Sequence, residues 1–343
     1  MKIAIHHRSG SFSDKWIEYC SVKNIEFKLV NCYDSDIIAH LKDCEGLLWH
    51  WQQYDYKAVN FARQLTYSLE QAGKKVFPDY RTCWHFDDKV GQKYLLEALN
   101  TPLVKSFVFY DKNEALQWAR NTNYPKVFKL RGGAGSMNVM LVYGKKKAFS
   151  LIRRAFGKGF SPSNNKEKVK DRWGKLKRNR NKTALFAVIR GIALYLIPEL
   201  DVNYIHRSSD KGYIYFQEFI PDNDHDIRVI VIGERAFAIK RMVRNNDFRA
   251  SGSGVIKYSK DEIPIVCIKK AFELNKLLQT QCTAYDFLFL KSQVKLVEIS
   301  YGFMQKGYEP CTGYWDNQLN WFEGKFTPEW FMMEDFMNQI EIK

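Results

Sequence analysis

The chain contains no Cys-x-x-Cys pair, although it has seven cysteines, at positions 20, 32, 44, 83, 267, 282 and 311. An odd number of scattered thiols argues against a disulfide framework and fits reduced, mostly buried side chains. No Gly-Lys-Ser/Thr follows a glycine-rich loop, so a Walker phosphate loop is excluded. No long apolar run is present either. The longest candidate, Ala184–Ile197, is fourteen residues, apolar except for Arg190, and too short to span a bilayer. A cleavable leader is not expected, because Met1–Ile5 reads as a short strand followed at once by His6-His7-Arg8. The expected location is the cytoplasm. No internal repeat is visible, and no His or Cys stands out as a catalytic group. Acidic residues are scarce relative to basic ones, 38 against 53, which leaves a net charge of +15.

What remains is a chain able to fold. Its 343 residues suffice for two or three domains with cores, and 45% apolar residues with 15% aromatics argue against wholesale disorder. Residues 1–80 alternate strands (Lys2–Ile5, Ile25–Val30, Gly46–Trp49, Lys75–Phe77) with helices (Asp14–Lys23, capped by Ser13, and Tyr56–Ala72). This pattern predicts a parallel α/β sheet that gathers ligands at the carboxyl ends of its strands. His6, Arg8, Ser9, Gly10, His50 and Trp51 fall at such ends, where ordinary loop polarity is the alternative reading.

Three later segments carry chemistry. Tyr285–Leu290 and Val294–Ile299 read as a hairpin around Lys291-Ser292-Gln293. Because alternate strand residues share a face, Asp286, Glu298 and Ser300 can present two carboxylates and a hydroxyl together, a hard-oxygen set suited to Mg²⁺. A merely solvated acidic face is the competing reading. Upstream, the strand Val127–Leu130 enters the loop Arg131-Gly132-Gly133-Ala134-Gly135-Ser136, and Asn138–Val142 follows as a strand. A loop of small residues lets backbone N–H groups close on phosphate oxygens, with Lys129 in reach as a point charge; a plain turn is the alternative. Between these lie the strand-rich run Tyr213–Ile220, a hairpin of Asp226–Ile232 with Arg235–Arg241, and the polar loop Asn245–Gly254.

In this order the motifs resemble the ATP-grasp superfamily, most closely its glutathione-synthetase and ribosomal-protein-glutamate-ligase branch. The resemblance covers roughly residues 80–303 and rests on five matches. They are Asp88-Lys89 before a helix ending at Thr101-Pro102; Lys129 with 131–136; Gln217–Ile220; Asp226-Ile227-Arg228 with Lys240-Arg241 and Asp247-Phe248-Arg249; and Asp286 with Glu298. One departure is that Ser300 stands where that branch usually has Asn.

The resemblance implies an α/β (α+β) ATP-grasp fold. It divides into a pre-ATP-grasp α/β domain (1–80), a central lid subdomain (81–156), an insert (157–203) and a C-terminal metal-binding subdomain (204–343). It also implies ATP and Mg²⁺ as cofactors, with Mn²⁺ as the alternative ion. Lys89 and Lys129 are expected on the α- and β-phosphates, and the loop with Gly132, Gly133, Gly135 and Ser136 over the β- and γ-phosphates. Gln217, Glu218, Phe219 and Ile220 are expected beside adenine. Arg228, Lys240, Arg241 and Arg249 are expected to serve the transferred phosphoryl group, and Asp286, Glu298 and Ser300 the metal.

The implied activity is a carboxylate–amine ligase working through an acyl-phosphate, joining an amine to a small-molecule, sugar or peptide acid, in an oligomeric enzyme. A kinase on the same site and a non-catalytic nucleotide-binding module are the alternatives. The aromatic tail, Tyr301-Gly302-Phe303 through Trp330-Phe331, resembles more loosely the ATP-grasp proteins of cell-surface polysaccharide synthesis.

The insert is unusual. From Lys158 to Lys182, ten Lys/Arg face two acidic residues, a net +8, and the apolar run to Ile197 follows directly. This juxtaposition predicts either peripheral contact with an anionic membrane at its inner face or a solvated basic loop before a core helix. Nucleic acid is disfavoured, since Phe160 and Trp173 are the only aromatics in the basic run and no nucleic-acid motif is present.

Overall fold

Strands and helices alternate at the start of the chain, as their apolar patterning requires. They run β1 (Lys2–His6), α1 (Phe12–Val22), β2 (Glu26–Val30), α2 (Ile37–His40), β3 (Gly46–Trp49), α3 (Tyr56–Gln71), β4 (Lys75–Phe77), α4 (Tyr80–Cys83) and α5 (Lys89–Ala98). β1–β4 form one parallel sheet in the order β2-β1-β3-β4. β3 is buried along its whole length, as a parallel strand covered on both faces must be. Helix α1 starts two residues before the expected position. Ser11, not Ser13, is its cap, and the Ser11 hydroxyl accepts the Ser13 N–H at 3.2 Å. Helix α5 is capped by Asp88, whose carboxylate accepts from Val90 and Gly91.

The computed structural model describes residues 2–133, 138–160, 169, 172–173, 176, 182–197, 209–243, 248–250 and 254–341. The chain divides into two units, one of residues 1–53, 61–104 and 220–343, the other of residues 54–60 and 105–219.

The second unit contains β5 (Ser106–Phe109), α6 (Lys112–Asn121), β6 (Lys126–Lys129), β7 (Met140–Val142), α7 (Lys145–Ala155), α8 (Lys182–Leu196) and β8 (Ile214–Glu218). Its sheet is antiparallel, in the order β5-β8-β6-β7. Phe128, Leu130, Ile214 and Phe216 pack with Ala115, Ala119, Ala148, Leu151 and Ile152 of α6 and α7 into one core. By strand alternation, Ser106, Val127, Lys129, Tyr215 and Gln217 take the opposite face. On α8 the apolar side chains Leu185, Phe186, Ile189, Ile192 and Leu196 are exposed. Among the described residues no helix is long and apolar enough to cross a membrane.

The first unit resumes with β9 (His225–Ile232), β10 (Arg235–Met242), β11 (Ile256–Lys257), α9 (Ile265–Leu278), β12 (Cys282–Leu290), β13 (Gln293–Ser300), β14 (Gly313–Asp316), β15 (Trp321–Glu323) and α10 (Pro328–Glu341). These strands make an antiparallel sheet in the order β13-β12-β9-β10-β14-β15, with β11 beside β10. The hairpin β12–β13 turns on Lys291 and Ser292, both at positive φ, as a two-residue loop matched to strand twist requires. Gln293, expected in the turn, is instead the first residue of β13.

Alternation gives this sheet two distinct faces. Ile227, Val229, Val231, Ala236, Ala238, Tyr285 and Phe287 pack with α9 residues such as Ile268 and Ala271. Ile230, Ile232, Phe237, Ile239, Cys282 and Ala284 pack with Phe12, Trp16, Met332, Met333 and Phe336 of α1 and α10. The tail aromatics are largely used in packing. Tyr314 stacks on Phe322, Phe326 stacks on Phe331, and Trp315 lies against Trp321.

Candidate active site

In the first unit, strand register assembles a row of charges. Glu298 on β13 pairs with Asp286 on β12, and Asp286 pairs with Arg228 on β9. Asp226, Arg228, Arg241, Asp286, Glu298 and Ser300 all alternate onto the face that carries Ile230, Ile239 and Ala284. The polar row thus continues one face of a hydrophobic sheet.

The cluster is densely paired. Arg241 grips Asp226 with both arms of its fork, Nε to Oδ1 and Nη2 to Oδ2, each at 2.7 Å. The same Nη2 lies 3.0 Å from Asp286 Oδ2. Arg228 Nε lies 2.7 Å from Asp286 Oδ1, a charge contact without the alignment of a hydrogen bond. Burial opposes ionisation of Asp286, but Arg228 and then Arg241 outweigh it and hold the carboxyl below its usual range. Asp226 shares Arg241, and burial pushes it the other way. The arrangement keeps Asp286 anionic.

Lys89 enters from the first turn of α5. Its side chain is buried, with Nζ 3.3 Å from Glu298 Oε1. Burial disfavours the ammonium, yet Glu298, followed by Asp87 and Asp88, keeps its pKa above the ordinary lysine value. Ser300 donates its hydroxyl hydrogen to the Gly302 carbonyl at 2.9 Å, so its oxygen retains acceptor capacity.

The other expected residues are placed differently. Lys240 alternates onto the α9 side of the sheet, away from Arg241, and pairs with Glu262 at 2.8 Å. Arg249 is half-buried in the loop after β10. The neighbouring residues 245–247 and 251–253 lie outside the described residues. In the second unit, Lys129 is buried at the end of β6, on the same face as Gln217. The Gln217 side-chain amide donates to Ser106 Oγ at 3.1 Å. Glu218 takes the helix-covered face and pairs with buried Lys126 at 2.8 Å. Phe219 and Ile220 follow β8 directly.

The glycine loop is anchored at its entry by the Arg131 N–H, which donates to the Tyr213 hydroxyl at 2.7 Å. Gly133 adopts φ +108°, a conformation that side chains resist. Gly135 and Ser136 lie outside the described residues, as do the start expected for the C-terminal subdomain at 204 and most of the basic run 158–182. At the sheet ends of the first unit, His6 accepts from the Cys32 N–H at 3.0 Å, Trp51 is buried, and Ser9 and Gly10 are exposed.

The donor chemistry fits a divalent ion held partly by its ligand. Among the described residues no three His, Cys, Asp or Glu side chains gather into a cage. Two carboxylates paired across adjacent strands, with Asp286 Oδ1 lacking an aligned hydrogen bond, match Mg²⁺, which binds one or two carboxylates and completes its shell with phosphate and water. Sequence reasoning assigned no role to Asp226, whose bidentate pairing became evident only from the β9–β10 register.

No protein-family model matches the chain. The alpha-aminoadipate–LysW ligase LysX of Saccharolobus solfataricus is 23% identical over 188 residues, 54% of this chain and 51% of that protein. The chain therefore matches about half the length of that curated relative. The crystal structure of a RimK domain ATP-grasp protein from Sphaerobacter thermophilus aligns over 98% of this chain and 99% of its own, with a TM-score of 0.53 and 14% identity. The D-alanine–D-alanine ligase of Bacillus anthracis, solved with ATP, aligns over 99% and 98%, with a TM-score of 0.51 and 12% identity.

Proposed function

We infer that this chain, which has the ATP-grasp fold, is an ATP- and Mg²⁺-dependent carboxylate–amine ligase. The observation that carries the reading is the cross-strand pairing of Asp286 with Glu298, flanked by Arg228 and Arg241. The ligases among the similar proteins, and the presence of ATP in one of them, support it.

Phosphoryl transfer asks a protein mainly for positioning and for charge neutralisation. Lys129 and the backbone of 132–136 are assigned to phosphate oxygens and Gln217–Ile220 to the adenine, Glu218 through its backbone because its side chain pairs with Lys126. In the first unit, Lys89 adds a phosphate contact, and Arg228, Arg241 and Arg249 neutralise the transferred group. Asp286 and Glu298, with the Ser300 oxygen, hold the metal ion, which when bound neutralises phosphate charge. Lys240, on the far face with Glu262, is better placed to brace β10.

A substrate carboxylate oxygen attacks the γ-phosphorus as the bond to ADP breaks. The amine nitrogen then attacks the acyl carbon, phosphate leaves, and the nitrogen loses a proton. The acid is an amino-acid, peptide or sugar acid, and the domain divisions at 80/81, 156/157 and 203/204 belong to the same reading.

A peripheral membrane role for 158–197 fits the exposed apolar residues of α8 beside the basic run. Flotation with anionic vesicles should bring the chain to the lipid fraction. Loss of that partitioning on deleting 158–182 supports the role, and equal partitioning removes it.

Purified protein given ATP, Mg²⁺ and a panel of acids and amines should release ADP and inorganic phosphate in step with amide. Glu298→Gln should reduce turnover at least a hundredfold. Phosphate retained on the acceptor would identify a kinase instead. Unchanged turnover in Glu298→Gln would remove the metal assignment.

A further inference from the structure

The β6–β8 ladder ends where the glycine loop begins. Its last pair is Lys129 with Tyr215, so continuing the register sets Arg131 opposite Tyr213. There a side chain takes over from the backbone: the Arg131 N–H donates to the Tyr213 hydroxyl at 2.7 Å. The same hydroxyl donates its hydrogen to Asp210 Oδ1, also at 2.7 Å. A phenol whose proton is committed to a carboxylate offers only lone pairs to its other neighbour, and the carboxylate polarises it into a better acceptor. Burial, and then the Asp210 charge, push the phenol pKa up, so the group stays neutral and keeps that proton.

The carboxylate end of this chain of bonds is fixed to the rest of the second unit. Asp210 donates its N–H to the Phe160 carbonyl at 3.0 Å and accepts the Phe160 N–H at 2.8 Å. The Phe160 ring packs on Phe128 with centroids 5.1 Å apart, and Phe128 directly precedes Lys129 on β6. The Gly212 N–H donates to the Ala155 carbonyl at 3.0 Å, at the end of α7. Asp210, Tyr213 and Arg131 are therefore held against the same sheet that carries Lys129.

We propose that Tyr213, held by Asp210, is a positioning residue for nucleotide phosphate: it fixes the Arg131 amide and so sets the point from which Gly132 and Gly133 approach the β- and γ-phosphates. The proposal deepens the ligase reading and rests on it for the phosphate contacts. Water can satisfy the outermost amide of a strand, but it exchanges freely and imposes no direction. A ring oxygen bonded on both sides does impose one. Glycines have the most backbone freedom to lose, so a loop built from them closes on phosphate at an entropic cost. Fixing its entry in advance removes part of that cost from the binding step. Tyr213 and Asp210 act through the Arg131 backbone, not by touching the nucleotide.

The test compares ATP and AMP affinities of the full-length protein by calorimetry with Mg²⁺ present. Tyr213→Phe deletes one oxygen and keeps the packed ring. It should weaken ATP binding about five- to tenfold, the effect of losing one hydrogen bond to a polarised acceptor. AMP lacks the β- and γ-phosphates and should lose less than about twofold. Asp210→Asn keeps an acceptor oxygen without the charge, so its loss should be smaller than that of Tyr213→Phe. The double variant should bind ATP no more weakly than Tyr213→Phe alone, because Asp210 acts only through the phenol. Hydrogen exchange at the Arg131 amide gives a readout without nucleotide, and it should be at least about tenfold faster in Tyr213→Phe.

Unchanged ATP affinity in Tyr213→Phe, or unchanged Arg131 exchange, overturns the proposal and leaves the ligase reading standing. Equal losses for ATP and AMP also overturn it, since they mark a general disturbance of β8 and not of the loop. Losses that multiply in the double variant remove Asp210 from the positioning role. Failure of the wild type to bind ATP removes the ligase reading and the positioning role with it; faster Arg131 exchange in Tyr213→Phe then reports a structural anchor alone.

Discussion

Replacing Asp286 with Asn tests the charge row most directly, because it removes one charge and almost no volume. The Arg228 and Asp286 side chains are only 19% and 14% exposed, so buried-pair magnitudes apply rather than the small values of surface ion pairs. Breaking such a pair from one side typically costs about 3–5 kcal/mol, since it leaves a buried charge uncompensated. Arg241 keeps its two bonds to Asp226, while Arg228 loses its 2.7 Å carboxylate contact. The lower end, about 3 kcal/mol, is therefore expected for Asp286→Asn. Guanidinium denaturation at pH 7, monitored by tryptophan fluorescence, measures it. The companion variant Arg228→Met removes the stranded cation, so the double variant should be more stable than Asp286→Asn alone, by about 1–2 kcal/mol. A loss below about 1 kcal/mol would place the pair in the solvent-screened class. A double variant weaker than the single would refute the claim that Arg228 depends on Asp286.

Lys129→Met should weaken ATP binding about ten- to hundredfold by calorimetry without changing the melting temperature, since it removes a charge-assisted phosphate contact; undiminished affinity would remove Lys129 from the phosphate site. Acidification should destabilise the first unit ahead of ordinary carboxylate titration. His85 is fully buried, and desolvation, with Arg63 adding to it, holds its pKa down to about 4, against 6.5 when unfolded. Between those values the unfolded chain binds the proton and the folded chain does not. Stability is therefore full above pH 6.5 and falls as the pH drops toward 4, by about 3 kcal/mol from this residue. Denaturation midpoints across pH 4–7 measure the slope, and His85→Leu should flatten it. Gly46→Ala should destabilise the first unit by about 2 kcal/mol or more, because the new methyl would meet the Lys75 carbonyl oxygen at 2.5 Å in the β3–β4 pairing; an unchanged midpoint would mean that this contact relaxes freely.

Much of the architecture was legible because it is local. The four strands of the parallel sheet and the hairpin that carries Asp286 and Glu298 follow from periodicity and turn chemistry; their ends moved by one or two residues, except that β12 begins at Cys282, three residues before the expected Tyr285. The interval from Asp286 to Glu298 is not set by the turn alone: a two-residue turn would oppose Asp286 to Val297, and a β-bulge between Asp286 and Phe287 shifts the register so that Glu298 stands opposite. Less legible was anything set by pairing across strands distant in sequence. Lys240 and Arg241 are neighbours in the chain, yet alternation sends one to Glu262 and the other to Asp226. Lys126 and Glu218, 92 residues apart, meet only because β6 and β8 are adjacent. The aromatic tail gave no clear strand signal, but Gly313–Asp316 and Trp321–Glu323 extend the sheet beyond β10. His50 and Arg8 were visible as strand-end residues. That His50 keeps its proton on Nε2 depends on the Phe12 amide occupying Nδ1, a contact across 38 residues.

The charge row and the core of the first unit share one face of one sheet, and this couples stability to chemistry. Ala284 and Ile230 are buried in the core two residues from Asp286 and Arg228, and Ile239 stands in the same relation to Arg241. Interiors are close-packed, so enlarging any of the three shifts strands by tenths of an ångström, and the paired carboxylates move with their backbones. Ala284 is the most exposed to this effect, because it lies opposite Ser300 in the register and on the same strand as Asp286. Ala284→Val should therefore lower turnover by a larger factor than its cost in stability suggests, at a site that touches no substrate. Ala238→Val, on the other face of the same sheet, is the control, since it strains the α9 packing without bearing on the row. Turnover falling equally in both, at equal loss of stability, would show that the face a residue occupies is irrelevant and that only global stability matters.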